Sequence, residues 1–503
     1  MTLHRVLPIT REWPLATAAE TRALEHAAAA GLVPNTLMQR AGASVAALAL
    51  ATAPHARRVW LAAGPGNNGG DALEAAVHLV RLGRQVEVSL HGEAAARPAD
   101  ARAALERAQA AGVHIDAAGT APAIAPDLAI DGLLGVGATR PAQAAIAASI
   151  EVLNSLGARA CPILAIDLPS GLHADTGRAL GGIAVRATHT LALLTLKPGM
   201  FTAEGRDHIG TAWFDALGVE AAAGAPGALL SGAAAVDASP QRRHAQHKGS
   251  FGDVAVVGGA PGMAGAGVLA ARAAHAAGAG RVFLELLSGD APALDPLHPE
   301  LMLRAGWSRG APEVLARSTV VCGCGGGDAV RPLLPILLRR AGRLVLDADA
   351  LNAIATDASI ARQLRARAAR GQPTVLTPHP LEAARLLGCT RTEVQADRLA
   401  AARELAQRHA CVVVLKGSGT LIAAPDRPLR INATGNASLA SAGTGDVLAG
   451  WLGGRWAQCV RGDDADTALA VVVRAVAEHG AAAEPAPAGA LRATDLIERL
   501  YRG

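Results

Sequence analysis

Four aspartates stand where apolar runs meet glycine-rich or turn-forming segments: Asp131 in IDGLLGVG, Asp167 in IDLPSG, Asp347 in LDADALN and Asp446 in AGTGDVLAG. The last is the most telling. Ala442-Gly-Thr-Gly-Asp446 runs into an apolar helical stretch, so backbone N–H groups gather at a helix start and form an anion hole for a transferring phosphoryl group. A carboxylate at the end of that turn can accept the proton of an attacking hydroxyl. Lys416-Gly-Ser-Gly-Thr420 leaves the run VVVL and can hold a nucleotide with backbone amides and one positive charge, although the GxxxxGK[ST] spacing is missing. Thr377-Pro-His379-Pro380-Leu-Glu382 puts an imidazole at a strand end and an acid where it could meet a water-bridged Mg²⁺. For Asp347 and Asp349, structural and metal-positioning roles are both open.

Nearer the start, GPGNNGGD (64–71) follows the strand-like VWLAA and spells G-x-G-x-x-G. A dinucleotide turn sets pyrophosphate on the following helix, and Asp71 would repel it there. Glu87 in the next run keeps that fingerprint alive, and a tight turn capped by Asp71 is the plainer reading. Three loops, around Asn68, Asp131 and Ser170, follow strand-like runs, and ligands of open parallel sheets bind outside strand C-termini. These three residues offer oxygen atoms, which suit a hard cation.

The elements that must position these groups are legible as alternation. Strand-length runs (59–63, 86–90, 128–135, 163–171, 189–196) are separated by helix-length Ala/Leu/Arg stretches, and after 240 the pattern restarts (254–259, 281–286, 318–327, 343–352, 374–380, 412–423). Such alternation predicts parallel sheets covered on both faces. Residues 15–53 read as two helices, each opened by a capping box, Thr17 with Glu20 and Thr36 with Gln39. The chain of 503 residues exceeds one ordinary core. Small residues without period over 218–240 mark a linker, leaving domains at 1–217 and 241–503. A net charge of +4 without a basic run argues against nucleic acid and membrane surfaces. Six cysteines without CxxC pairing predict reduced thiols in a cytoplasmic enzyme. The opening residues lack the apolar core of a secretory signal, and no stretch reaches membrane-spanning length.

NNGGD, DGLLGVG and DLPSGL in that order, with LMQRAG (37–42) and LKPGM (196–200), resemble the NAD(P)H-hydrate epimerase domain over about 10–217. HKGSFG (247–252), GMAGAG (262–267), LDADALN, LTPHPLEAARLLG and TGN…AGTGD resemble the ADP/ATP-dependent NAD(P)H-hydrate dehydratase of the ribokinase-like superfamily. The resemblance implies an α/β fold of two three-layer αβα domains, Rossmann-like then ribokinase-like. It implies epimerisation of R and S NADHX and NADPHX at C6, then dehydration of the S form at the expense of ADP or ATP. In the front half Asn67, Asn68, Gly69, Gly70, Asp71, Gly135, Val136, Gly137, Ala138, Thr139, Arg140, Pro141 and Asp167 would contact substrate. Asp167 would assist proton movement, and Asn68, Asp131 and Ser170 would hold K⁺. In the second half Ala266, Gly327, His379 and Asp446 would contact substrate. Lys416, Gly417, Ser418, Gly419, Thr420 and Gly445 would contact the adenine nucleotide with its Mg²⁺, and Asp446 would be catalytic. GCGGG (323–327) stands where that family usually carries a proline-containing glycine loop. A homo-oligomer is expected. The competing readings are a small-molecule kinase with a fused nucleotide-binding module, a non-catalytic nicotinamide-nucleotide sensor and, last, a hydride-transfer enzyme.

Overall fold

A computed structural model of the chain describes residues 2–116, 119, 121–220, 226–232, 242–289, 294–459, 464–484 and 489–502. The chain divides into two compact units, 1–8 with 13–228, and 9–12 with 229–503. Within the segment read as a linker, 221–225 and 233–240 lie outside the described residues, and Ala228–Ser231 forms a strand.

In the first unit the strands lie in the order His4–Arg5, Thr211–Asp215, His189–Leu193, Ile163–Ile166, Leu128–Gly132, Arg58–Ala63, Gln85–Leu90 and His114–Asp116. All neighbours are parallel except His4–Arg5 against Thr211–Asp215. Buried strands of near-continuous Val, Leu, Ile and Ala explain the parallel pairing, because both faces are covered. Helices Thr36–Thr52, Asn67–Arg81 and Ala99–Ala110 cover one face, and Ala144–Ala158 lies against the other. Strand order reverses between Arg58–Ala63 and Leu128–Gly132, and the loops leaving these two strands are GPGNNGGD and LLGVG. That reversal opens the crevice such sheets use for ligands.

Two local expectations fail. The Thr17–Glu20 capping box forms, but Asn35 in the left-handed region caps the second helix with no side-chain bond, so Thr36 and Gln39 make no box. Helix Asn67–Arg81 starts at Gly66, which leaves Asp71 in its second turn and not at its cap. Glu87 is paired beside Trp60 in mid-strand, away from the strand end where a dinucleotide fold holds a ribose.

In the second unit the order is Met302–Leu303, Arg281–Leu286, Asp253–Gly258, Thr319–Cys322, Arg343–Leu346, Thr374–Leu376, Val412–Leu415, Leu421–Ala423 and Leu429–Asn432. The single run expected over 412–423 is a hairpin: Val412–Leu415 and Leu421–Ala423 pair antiparallel, and Leu429–Asn432 follows in the same sense. The glycines of KGSGT explain it, since Gly417 and Gly419 take the positive φ a tight reversal needs. Helices Ala264–Ala276 and Thr444–Ala457 pack closely in this unit's main core.

Candidate active sites

In the first unit, Gly64 lets the two loops at the strand reversal touch: a Cβ there would fall 1.6 Å from the Leu133 carbonyl oxygen. The buried Asn68 donates through Nδ2 to Leu134 O at 3.1 Å. The Ser170 hydroxyl accepts from Leu134 N–H at 2.8 Å and donates to Asp131 Oδ1 at 2.5 Å, while Ser170 N–H donates to Asp131 Oδ2 at 2.8 Å. Asn68, Asp131 and Ser170 are therefore gathered around one short segment, Leu133–Leu134. Asp131 is fully buried without an ion-pair partner among the described residues, and burial pushes its carboxyl up to about 6 against those hydrogen bonds. A lone buried carboxylate ringed by hydroxyl, amide and carbonyl oxygens has the chemistry of a monovalent-cation site.

Beside it lies a cavity of about 710 Å³ lined by Asn67, Asn68, Asp71, residues 135–141 and Asp167, with Thr21, Arg22 and Glu25 from the first helix. Gly69 and Gly70 do not line it; they let the helix pack, since a Cβ on Gly69 would lie 1.9 Å from Gly64 O. Asp167 has φ +65°, a left-handed conformation that Asp tolerates at a modest cost. Its side chain accepts from Leu193 N–H at 3.2 Å and pairs with the ammonium of Lys197. Lys197 is wholly buried and also donates to Leu193 O at 2.8 Å and Thr195 O at 2.9 Å. Sequence reasoning passed over Lys197, yet its signal was present: it is the one ammonium in HTLALLTLKPGM. Two further acids face this region. Burial and then Asp167 raise Asp71 well above the carboxylate range, and burial and then Asp167 also raise Glu25, whose Oε1 accepts from Asn67 Nδ2 at 3.5 Å.

The second unit gathers its residues more tightly. Lys416 Nζ donates to Asp347 Oδ1 at 2.8 Å, and the Thr377 hydroxyl reaches the same oxygen at 2.9 Å. Burial works against the Lys416 charge, but Asp347 and Glu382 outweigh it and raise its pKa. Ligand atoms of Cys324, Asp347 and Asp446 lie within 4.8 Å of one another. Asp446 sits in the first turn of helix Thr444–Ala457, whose cap, Gly443, has φ +87°. Burial and then Asp347 push Asp446 up to about 6, while a hydrogen bond from the Cys324 thiol and the charge of Lys416 pull the other way. A Cβ on Gly445 would be 3.3 Å from Lys416 Nζ, so the Asp446 turn abuts the lysine. Gly323, at φ +119°, presses its α-carbon so close to Asp347 O that a Cβ would lie 1.9 Å away.

Gly327 N–H donates to Asp349 Oδ2 at 2.8 Å, and Asn352 holds the other Asp349 oxygen at 3.2 Å. Ala266, in helix Ala264–Ala276, which begins within GMAGAG, borders the same loop: a Cβ on Gly325 would be 2.8 Å from Ala266 Cβ. In the 416–420 turn, Thr420 Oγ1 donates to Gly417 O at 3.1 Å. The half-exposed His379 caps helix Pro380–Leu387, its Nδ1 accepting from Leu381 N–H at 3.1 Å and Glu382 N–H at 3.3 Å. This bonding leaves the proton on Nε2, and burial, then Lys416, lowers the imidazole pKa. Glu382 is engaged at its own helix start. One carboxylate oxygen accepts from His379 N–H at 2.8 Å, the other lies 3.3 Å from His379 Nε2, and burial pushes the acid up to about 7.

No helix among the described residues is long and apolar enough to cross a membrane. Residues 34–199 match the family described as the YjeF-related protein N-terminus, and residues 254–502 match that described as NAD(P)H-hydrate dehydratase. The bifunctional NAD(P)H-hydrate repair enzyme of Escherichia coli strain K12 is 36% identical over 490 residues, spanning 95% of this chain and 91% of that protein. The enzyme of that description from Gloeobacter violaceus is 38% identical over 493 residues, with 93% of each chain covered. A crystal structure of the ADP/ATP-dependent NAD(P)H-hydrate dehydratase from Bacillus subtilis, co-crystallised with ATP/Mg²⁺, is 30% identical. It covers 52% of this chain and 92% of that one at a TM-score of 0.42. On its two matched regions and its near full-length relatives, this chain belongs to the family of bifunctional NAD(P)H-hydrate repair enzymes.

Proposed function

We propose that the first unit interconverts the R and S hydrates of NADH and NADPH, and that the second returns the S hydrate to NAD(P)H by phosphorylating and eliminating its hydroxyl. The observation that carries this reading is the Asp446 turn. A carboxylate with a pKa of about 6 stands at a helix start, beside a lysine already anchored to Asp347. Such a group can take the proton of the C6 hydroxyl as that oxygen attacks the terminal phosphoryl of ADP or ATP. The new O–P bond replaces the one to the nucleotide, which departs as AMP or ADP. The C6–O bond then breaks with inorganic phosphate as leaving group, C5 loses a proton, and the C5–C6 double bond forms. Backbone N–H groups of the 442–446 turn and the Lys416 ammonium oppose the charge on the transferring group. Mg²⁺ brought with the nucleotide supplies charge neutralisation, and Asp347, with hard oxygen ligands, would hold it. His379, Gly327 and Ala266 would position the substrate; Lys416 to Thr420 and Gly445 would hold the adenine nucleotide.

In the first unit Asp167, tethered by Lys197, handles the proton at C6, and Asn67, Asn68 and Asp71 with residues 135–141 form the cradle. K⁺ held by Asn68, Asp131 and Ser170 would balance the buried carboxylate and keep the two loops together. The test is stoichiometric. Pure S hydrate with ADP should yield one NADH, one AMP and one inorganic phosphate. A stable phosphorylated product with no recovered NADH would instead identify a small-molecule kinase.

A further inference from the structure

The second unit holds a second cavity, of about 450 Å³, away from the Asp446 turn. Arg362, Arg365, Arg408 and His409 line it together with apolar residues that include Ile354 and Leu386, and no acidic side chain does. The arginines of the surrounding helix Ala358–Ala369 and the residue after it divide into two kinds. Arg367 is buried and committed to Thr374 Oγ1 at 2.7 Å and Leu338 O at 2.9 Å, and Arg370 donates to Leu338 O and Gln372. Arg362 and Arg365 are exposed and have no hydrogen-bond or ion-pair partner among the described residues. Arg408 is fixed in place, donating to Leu387 O at 2.8 Å and Glu404 Oε1 at 2.5 Å. His409 is only 4% exposed, yet both of its ring nitrogens lack a partner. An orphaned buried imidazole is unfavourable, so its persistence here calls for a partner.

We propose that this cavity binds a small organic phosphate, its oxygens taken by Arg362, Arg365 and His409 and its carbon skeleton lying on Ile354 and Leu386. Two unpaired guanidinium forks match the charge and the several oxygens of a phosphate dianion better than one carboxylate, which offers two oxygens. The volume falls within the range of roughly 300–1,000 Å³ typical of small-molecule sites. Burial, reinforced by Arg408 and Arg365, holds the His409 imidazole down to about 4, so the ring is neutral, with one donor and one acceptor. A ligand there touches the last turns of helices Ala348–Thr356 and Pro380–Leu387, which begin directly after Asp347 and His379.

Calorimetric titration of the full chain with phenyl phosphate, under saturating ADP to occupy the nucleotide site, tests this directly. Phenyl phosphate should bind to the wild-type protein, and R362A/R365A should weaken binding at least about tenfold with the thermal melt unchanged. R362K/R365K, which keeps charge but loses the paired donors, should fall between them. Inorganic phosphate should bind more weakly than phenyl phosphate, through loss of the apolar wall. Wild-type protein that takes up no phenyl phosphate, or a double alanine variant that binds it equally well, overturns the site. Equal affinity for the two phosphates overturns the organic part of the ligand.

Discussion

Each unit sets a lysine against a buried aspartate, Lys197 with Asp167 and Lys416 with Asp347, and sets further carboxyl groups close to the pair. The roles assigned to the paired acids differ. In the first unit the lysine-bound Asp167 is the group assigned to the proton step. In the second, the lysine-bound Asp347 is assigned no proton and would hold Mg²⁺, and the proton step is assigned to its neighbour Asp446, pushed up to about 6. The contrast suits the two reactions. A hydroxyl attacking phosphorus needs a base poised near the working pH, with the lysine, held by Asp347, set against the phosphoryl charge. A group that moves a proton at one ring carbon must above all be held in one place, and Lys197 fixes Asp167 in a left-handed turn that a free side chain would resist.

The largest test of this contrast is Asp446→Asn. It should lower nucleotide-dependent dehydration by on the order of 10³-fold while epimerisation, followed by chromatographic separation of R and S hydrates, stays intact. Loss of both activities together would merge the two sites into one and break the comparison. Next comes Lys197→Met. Removing one member of a buried pair strands Asp167 and should destabilise the first unit by about 3 kcal/mol, with epimerisation falling at least about a hundredfold. Normal melting and normal epimerisation would show that the pair is incidental.

A smaller effect concerns pH. The kcat/KM for dehydration should fall about tenfold per unit below a bend near 6, as Asp446 takes up its proton. A bend near the ordinary aspartate value would mean that the burial of Asp446 has no bearing on the chemistry. The smallest effect separates the units by cation. Asp131 has a folded-state pKa raised to about 6, so its contribution to stability is present below the ordinary value of 3.8 and is lost as pH rises through 6. Without K⁺ that loss approaches about 3 kcal/mol. K⁺ binding the ionised acid should return part of it. Melts in potassium chloride should therefore exceed those in choline chloride at about pH 7.5 and coincide at about pH 4.5. Equal melts at both pH values would remove K⁺ from Asn68, Asp131 and Ser170.

The fold was legible where the physics is local. Strands buried on both faces read as unbroken apolar runs, and the aspartates that end them stand out because polarity returns at a strand's C-terminal end. What stayed hidden depends on partners distant in sequence. Lys416 and Asp347 are 69 residues apart, and Lys197 and Asp167 are 30 apart, so neither spacing signals a contact. The Lys416 hairpin was read as one strand because its apolar halves flank glycines that serve equally as loop and as turn. Glu382 was read as meeting a metal-bound water, and the capping interaction it also makes was not foreseen from the PHPLE spelling. The Cys324 thiol was given no role from the sequence, whereas its contact is a carboxylate more than a hundred residues further along the chain.

The most direct test of the account supplies wild-type protein and Asp167→Asn with an equal mixture of R and S hydrates and excess ADP, and follows the return of NADH absorbance. Wild type should recover the whole mixture, whereas the variant should convert the S portion at the normal rate and then slow to the spontaneous interconversion of what remains. Complete recovery at an undiminished rate by Asp167→Asn would contradict the assignment of separate carboxylates to separate steps.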